Sequence, residues 1–170
     1  ANHFKCFDYI LDNAKKPLTE SMIKELHFIL KNGTSDSRKE WFNVGNYKKL
    51  PNEVGGQETC PPEMVKEKMK ELLADYNLIK DKTFEQILDF HKNFESIHPF
   101  QDGNGRVGRL IMFKECLANH IVPFIIDEEH KLFYYRGLKE WDNEKGYLID
   151  TCLSCQDKYK LWLDYFKIKY

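Results

Sequence analysis

Apolar residues recur at intervals of three and four over nearly all of this chain, a period that fits α-helices and not strands. Phe4, Phe7, Ile10 and Leu11 mark a first stripe, ending near Asn13. Pro17-Leu18-Thr19-Glu20 opens a second helix with Thr19 as its natural N-cap, and Met22, Ile23, Leu26, Ile29 and Leu30 form its buried face. Asn32-Gly33 closes it. A third helix starts at Pro61-Pro62 and carries Val65, Met69, Leu72 and Leu73, and a fourth starts at Thr83 with Phe84, Ile87, Leu88, His91 and Phe94. Beyond residue 105, Leu110, Ile111, Phe113 and Leu117 predict a buried helix. Two more are predicted near 128–140 and 144–168, the last with Leu148, Cys152, Cys155, Tyr159, Trp162 and Phe166. The expectation is an all-α bundle, and residues 1–170 are about the length of one domain.

Residues 43–60 break the pattern. Pro51-Asn52 and Gly55-Gly56 are turn signals, and the neighbouring Val and Tyr suit short strands, so the segment reads as a small hairpin or as a surface loop. The charge balance is even, 26 basic against 27 acidic residues for a net −1. Nothing global draws the chain to nucleic acid or to an anionic membrane, so any anion it binds must be caught locally. No signal-peptide pattern and no run of eighteen apolar residues is present, and the cytoplasm is the expected compartment. The five cysteines are odd in number and irregularly spaced. Cys152-x-x-Cys155 lacks a second ligand pair and lies within a helical pattern, which predicts core thiols rather than a zinc or redox site.

The chemistry is concentrated in residues 98–109, His98-Pro99-Phe100-Gln101-Asp102-Gly103-Asn104-Gly105-Arg106-Val107-Gly108-Arg109. A helix must stop at His98 because Pro99 disfavours helical backbone before it. Asp-Gly-Asn-Gly is the composition of a tight turn, and a turn that feeds a helix start presents backbone N–H groups and partial positive charge to an anion. Arg106 and Arg109, three residues apart, share one side of that first turn and suit phosphate oxygens. Two cations there oppose the helix dipole, an arrangement better explained by an anion between them. Asp102 is a hard oxygen ligand suited to magnesium, and His98 carries the side chain that titrates near neutrality. Together these are the parts of phosphoryl or nucleotidyl transfer.

The same twelve residues resemble the signature of the Fic family, His-Pro-Phe-x-Asp-Gly-Asn-Gly-Arg-x-x-Arg, at every fixed position. The Pro-Leu-Thr-Glu helix start, Pro61-Pro62 and the helix after the motif are also similar to Fic domains, though less specific. The resemblance implies a Fic-type helical bundle with a small β-hairpin flap at 43–60 beside the active site. It implies a magnesium-dependent protein adenylyltransferase that moves AMP from ATP to a Ser, Thr or Tyr hydroxyl and releases pyrophosphate. His98 would be the base and Asp102 the magnesium ligand. Gly103, Asn104 and Gly105 would hold the α- and β-phosphates, Arg106 and Arg109 the outer ones, and Phe100 would anchor the loop. The flap would align an extended, hydroxyl-bearing segment of the target protein by strand addition.

Many Fic proteins carry an inhibitory helix, Ser/Thr-x-x-x-Glu followed by Gly or Asn. The nearest match here, Ser21 to Glu25, is followed by Leu26 inside an ordinary amphipathic helix, and is read as coincidence. Because the chain opens almost within an amphipathic pattern, such a helix is expected upstream of Ala1 or on a separate partner. A phosphotransferase that binds its nucleotide reversed, and a non-catalytic nucleotide-binding module, are the alternatives. The presence of Gly105 and Arg109 disfavours the first, and that of His98 and Asp102 the second. Tyr134 and Tyr135 are candidates for stacking on adenine, although aromatics at helical spacing more often belong to a core.

Overall fold

The computed structural model describes residues 1–170. Its helices are α1 (Asn2–Asp12), α2 (Glu20–Lys31), α3 (Pro62–Asn77), α4 (Phe84–Ile97), α5 (Asn104–Ala118), α6 (Lys131–Glu140) and α7 (Gly146–Tyr165). Two short strands, β1 (Glu53–Val54) and β2 (Gln57–Glu58), pair antiparallel with Glu53 opposite Glu58. The all-α reading therefore holds, with one small hairpin inserted.

Local chemistry starts the helices where the sequence places them. The Thr19 hydroxyl accepts a hydrogen bond from the Met22 N–H at 3.2 Å. At α4 the Thr83 hydroxyl accepts from Gln86 N–H while the Thr83 N–H donates to the Gln86 side chain, a reciprocal capping box. Pro62 occupies the first turn of α3, where its missing N–H costs nothing.

Helices α4 and α5 form the central pair. Phe90 and Phe94 of α4 and Val107, Leu110 and Ile111 of α5 pack into a core shared with α1, α2 and α3. Ile87, Leu88, Met112 and Cys116 of the same two helices pack into a second core with Tyr134, Trp141, Leu148, Cys152 and Cys155. Helix α5 is thus covered on most of its circumference, as its weak amphipathicity requires. The turn that joins these helices leads straight into α5, the helix with the most buried residues.

Two stripes are narrower than their periodicity predicted. In α1 the buried residues are Cys6 and Ile10, while Phe4 and Leu11 face solvent, because this edge helix packs against α2 and α5 along a single line. In α7 burial ends at Gln156, and Trp162 and Phe166 are exposed past the reach of α4 and α6. Cys152 and Cys155 are buried free thiols, as expected. The hairpin is also shorter than the 43–60 segment. Gly55 and Gly56, at φ 57° and 78°, make the two-residue turn whose twist suits a hairpin. Residues 43–52 are instead turn and coil, because Tyr47 and Lys48 are drawn inward and their backbone bonds go elsewhere.

The α4–α5 turn is held from below. His98 ends α4 in the left-handed region (φ 53°, ψ 60°) and Gly103 starts α5 at φ 89°. Between them Phe100, with 0% exposure, stacks on the His27 imidazole at 4.0 Å and 4°. His27 Nδ1 accepts from the Gly45 N–H at 2.9 Å, so Nε2 must carry the proton that it donates to the Asp102 carbonyl at 3.0 Å. One neutral ring thereby joins α2, the 43–47 turn and the active loop. Asn104 completes the clamp: its Oδ1 accepts from the Phe100 N–H and its Nδ2 donates to the Phe100 carbonyl, both at 2.7 Å.

Two outcomes follow from this packing. A Cβ on Gly137 of α6 would lie 2.6 Å from Leu148 Cα and 2.8 Å from its nitrogen, where backbone cannot yield. Gly137→Ala is expected to destabilise the protein by about 1–3 kcal/mol, read as a lowered Tm in thermal unfolding. Burial pushes the His27 pKa down to about 4. The folded ring stays neutral while the unfolded one takes up a proton below about 6.5, so its share of stability is present above that pH and is lost as pH falls toward 4. Between pH 7 and 4.5 the wild type should lose about 2 kcal/mol more than His27→Gln, measured by urea unfolding at both pH values.

Candidate active site

His98 caps the end of α4 and is partly buried. Its Nδ1 is buried with no hydrogen bond, which leaves Nε2 as the nitrogen open to solvent. Burial lowers its pKa from the usual imidazole value. The Glu95 carbonyl and the Asp102 carboxylate push the other way, and the Lys48 ammonium adds to the lowering. The net effect keeps the ring neutral at physiological pH, the form in which it can accept a proton.

At the other side of the turn, α5 begins at Gly103 without any side-chain cap, so the first N–H groups of the helix have no partner from a capping side chain. Arg106 and Arg109 stand on this turn. Arg109 makes no salt bridge; its guanidinium folds across Gly105, where a Cβ would lie 3.0 Å from one of its nitrogens, and sits 5.8 Å from the Tyr134 ring centroid. Both arginines line a cavity of about 180 Å³ together with His3, Phe7, Phe124 and Ile126. Two guanidiniums that line a partly apolar cavity, on a helix whose start has no side-chain cap, give this end of α5 a positive potential that suits an anion.

Asp102 is exposed. Its Oδ2 accepts from Lys31 Nζ at 2.7 Å and lies 3.5 Å from Arg106, while Oδ1 has no side-chain partner. Burial alone would raise the Asp102 pKa, but the Lys31 hydrogen bond and charge, the Gly103 N–H and Arg106 outweigh it and hold the carboxyl below its ordinary value. An ionised carboxylate with one free oxygen beside an anion cradle fits a hard divalent cation. Asp127, Glu129 and His130 also lie close together, but there Asp127 caps a short helical turn: its Oδ1 accepts from the His130 N–H and ring, and its Oδ2 from Lys158 at 2.7 Å.

The hairpin is tied to the loop at its base. Lys48 N–H donates to the Pro99 carbonyl at 2.9 Å and Asn52 Nδ2 to the Phe100 carbonyl at 2.9 Å. Gln101 exchanges two bonds with the Leu50 backbone, at 3.1 and 3.2 Å. Buried Lys48 also reaches Asn52 and Thr59, on either side of the hairpin, and the Ile97 carbonyl next to His98. Beneath α5, Gly108 leaves room for Glu95 and His91, which a Cβ there would meet at 2.6 and 3.0 Å. Burial raises Glu95 to about 7, with Arg109 acting against it.

The structure brings His98, Asp102, Gly103, Asn104, Gly105, Arg106 and Arg109 onto one turn. For Asn104 it assigns the side chain to the Phe100 clamp, so only its backbone is left for a ligand. Tyr134 is buried and bonded to His91, which removes it as a stacking surface; Tyr135 is exposed. Sequence reasoning missed His27, Lys31, Lys48 and Glu95. The first two had a legible signal, since they continue the buried face of α2 through Ile23, Leu26 and Leu30.

Residues 17–116 match the sequence model of the Fic/DOC family. A protein adenylyltransferase of Caenorhabditis elegans is 31% identical over 88 residues, 50% of this chain and 17% of its own length. A probable protein adenylyltransferase of Aquifex aeolicus is 32% identical over 98 residues, 56% of this chain and 29% of its own. The chain thus spans less than a third of either relative. The crystal structure of a Fic domain containing signaling protein from Bacteroides thetaiotaomicron superposes with a TM-score of 0.77 at 26% identity, covering 93% of this chain and 67% of that one. With the family match over more than half its length and a shared helical fold, this chain belongs to the Fic/DOC family.

Proposed function

We propose that this protein transfers AMP from ATP to a hydroxyl of a target protein. The observation that carries the reading is the turn itself: His98, whose ring stays neutral, stands at one end of it, and the uncapped start of α5 with Arg106 and Arg109 at the other. The names of its relatives as protein adenylyltransferases support the choice of nucleotidyl over other transfers.

His98 Nε2 takes the proton from the target's Ser, Thr or Tyr hydroxyl as its oxygen bonds to the α-phosphorus. The bond from that phosphorus to the bridging oxygen breaks, pyrophosphate departs, and AMP stays on the target as a phosphodiester. The amides at Gly103, Asn104 and Gly105 hold the α- and β-phosphates and stabilise the charge that grows during attack. Arg106 and Arg109 hold the outer phosphates, and the apolar side of their cavity excludes water. Magnesium, held by Asp102, neutralises charge on the phosphates when bound. The exposed hairpin at 53–58 presents its edge to an extended target segment, and the bonds at its base set that edge relative to His98. An inhibitory helix, upstream in the full-length protein or on a partner, would act on the Arg109 end of the cavity.

Incubation with ATP labelled at the α- or γ-phosphate tests the assignment. Label should be retained on protein from the α position only. Retention from γ alone would mean phosphate transfer, and retention from neither would leave a binding module. His98→Ala should slow transfer by about 10²–10⁴ while nucleotide affinity, measured by calorimetry, stays nearly unchanged. Because the His98 pKa lies below its ordinary value, the acidic limb of kcat/KM should fall below about pH 6.5.

A further inference from the structure

Lys31 is the last residue of α2, and its side chain is 5% exposed. A lysine so buried needs a reason. Its Nζ lies 2.8 Å from Asp36 Oδ2 and 2.7 Å from Asp102 Oδ2, with the Phe42 ring centroid 5.2 Å away. The two carboxylate oxygens are therefore at most 5.5 Å apart (2.8 plus 2.7) around one point. Two carboxylates converging on a single cation is a donor arrangement that divalent metals use, and here an ammonium fills it. Asp36 is held in turn by Lys39 at 2.7 Å, so the tether cannot swing away freely.

We infer that Lys31 is a tethered stand-in cation between Asp36 and Asp102, which keeps free divalent metal off Asp102 and admits it only in company with nucleotide phosphates. This rests on the reading that the loop binds a nucleotide. A metal on the free Oδ1 of Asp102 would sit a few ångströms from Nζ, and repulsion between a single and a double positive charge at about 5 Å weakens binding roughly tenfold even in high dielectric. A triphosphate supplies more negative charge than the ammonium opposes, so the metal–nucleotide complex is admitted where the bare ion is not. Meanwhile the Lys31 bond holds Oδ2, which leaves Oδ1 without a side-chain partner and restrains the carboxylate before a metal arrives. Lys31 is a positioning residue here, since it acts through Asp102.

The test measures Mn²⁺ binding to the protein without nucleotide, from the electron paramagnetic resonance signal of the free ion. Wild type should bind weakly and retain Mn²⁺ only when a non-hydrolysable ATP analogue is added. Lys31→Met should bind Mn²⁺ alone at least about tenfold tighter, Lys31→Arg should behave as wild type, and adding Asp102→Asn to Lys31→Met should erase the gain. Tight binding by wild type without nucleotide, no gain in Lys31→Met, or a gain that survives Asp102→Asn would each overturn the inference. Since Lys31→Met leaves two carboxylates facing one another, the same comparison is made between Asp36→Asn and Lys31→Met/Asp36→Asn, with melting curves to show that each is folded. None of these readouts depends on group transfer. A wild type that fails to move α-label but follows this metal pattern would refute the proposed activity and leave the role of Lys31 standing.

Discussion

The His27 ring is the contact on which the active turn depends. The turn contains two left-handed residues, and His98, which is not glycine, costs about 1–2 kcal/mol in that conformation. Nothing covalent holds it. What offsets the strain is the burial of Phe100 face to face on His27, the bond from His27 to the Asp102 carbonyl, and the grip of Asn104 on both polar groups of the Phe100 peptide. The side chains beneath the loop consume its inward polar groups, which leaves the outward amides free. The shape of the anion site is thus set by packing before any anion binds, the condition under which electrostatic stabilisation of a transition state is most effective.

The charge distribution follows the same logic. The chain as a whole is nearly neutral, at −1, yet Lys31, Lys48, Arg106 and Arg109 converge around one turn. Three of the four are managed by neighbours. Lys31 is neutralised by Asp36 and Asp102 and Arg106 in part by Asp102, while Lys48 keeps its charge and is only hydrogen-bonded, by neutral oxygens of Asn52, Thr59 and Ile97. Arg109 has no ion pair, and the acid buried nearest to its influence, Glu95, is pushed toward its neutral form. Positive charge without an ion pair therefore sits on Lys48 behind the turn and on Arg109 at the cavity end of α5, where the helix dipole adds to it.

The helices and the turn were legible in the sequence because their signals are local. Thr19, Thr83 and Pro62 act on their own neighbourhoods, and each stands at the boundary it predicts, while α5 starts at Asn104, one residue before the Gly105 that the turn suggested. The extent of burial was less legible. Phe4, Leu11, Trp162 and Phe166 continue apolar stripes, but burial needs a neighbouring element, and none covers them. Reading stripes by apolar residues alone also hid His27 and Lys31, polar residues on the buried face of α2 whose partners lie 5 to 75 positions along the chain. Asn104 was read as a phosphate contact because its motif position suggested one; that its side chain turns inward is a fact of tertiary packing.

The hairpin sets a limit on how a target can be recognised. With two residues per strand and both strands exposed, an added peptide strand gains only two or three backbone hydrogen bonds, each worth about 1 kcal/mol net. Association costs at least about 4 kcal/mol in lost translational and rotational freedom. Strand addition alone therefore cannot capture a target; it can only fix the register of one already held. Register is what the bonds from Lys48, Asn52 and Gln101 are placed to transmit, since they run from the hairpin base to Pro99, Phe100 and the loop beside His98. Under the proposed function, alignment and chemistry would share one support, and the energy that selects a target would have to come from contacts away from this edge.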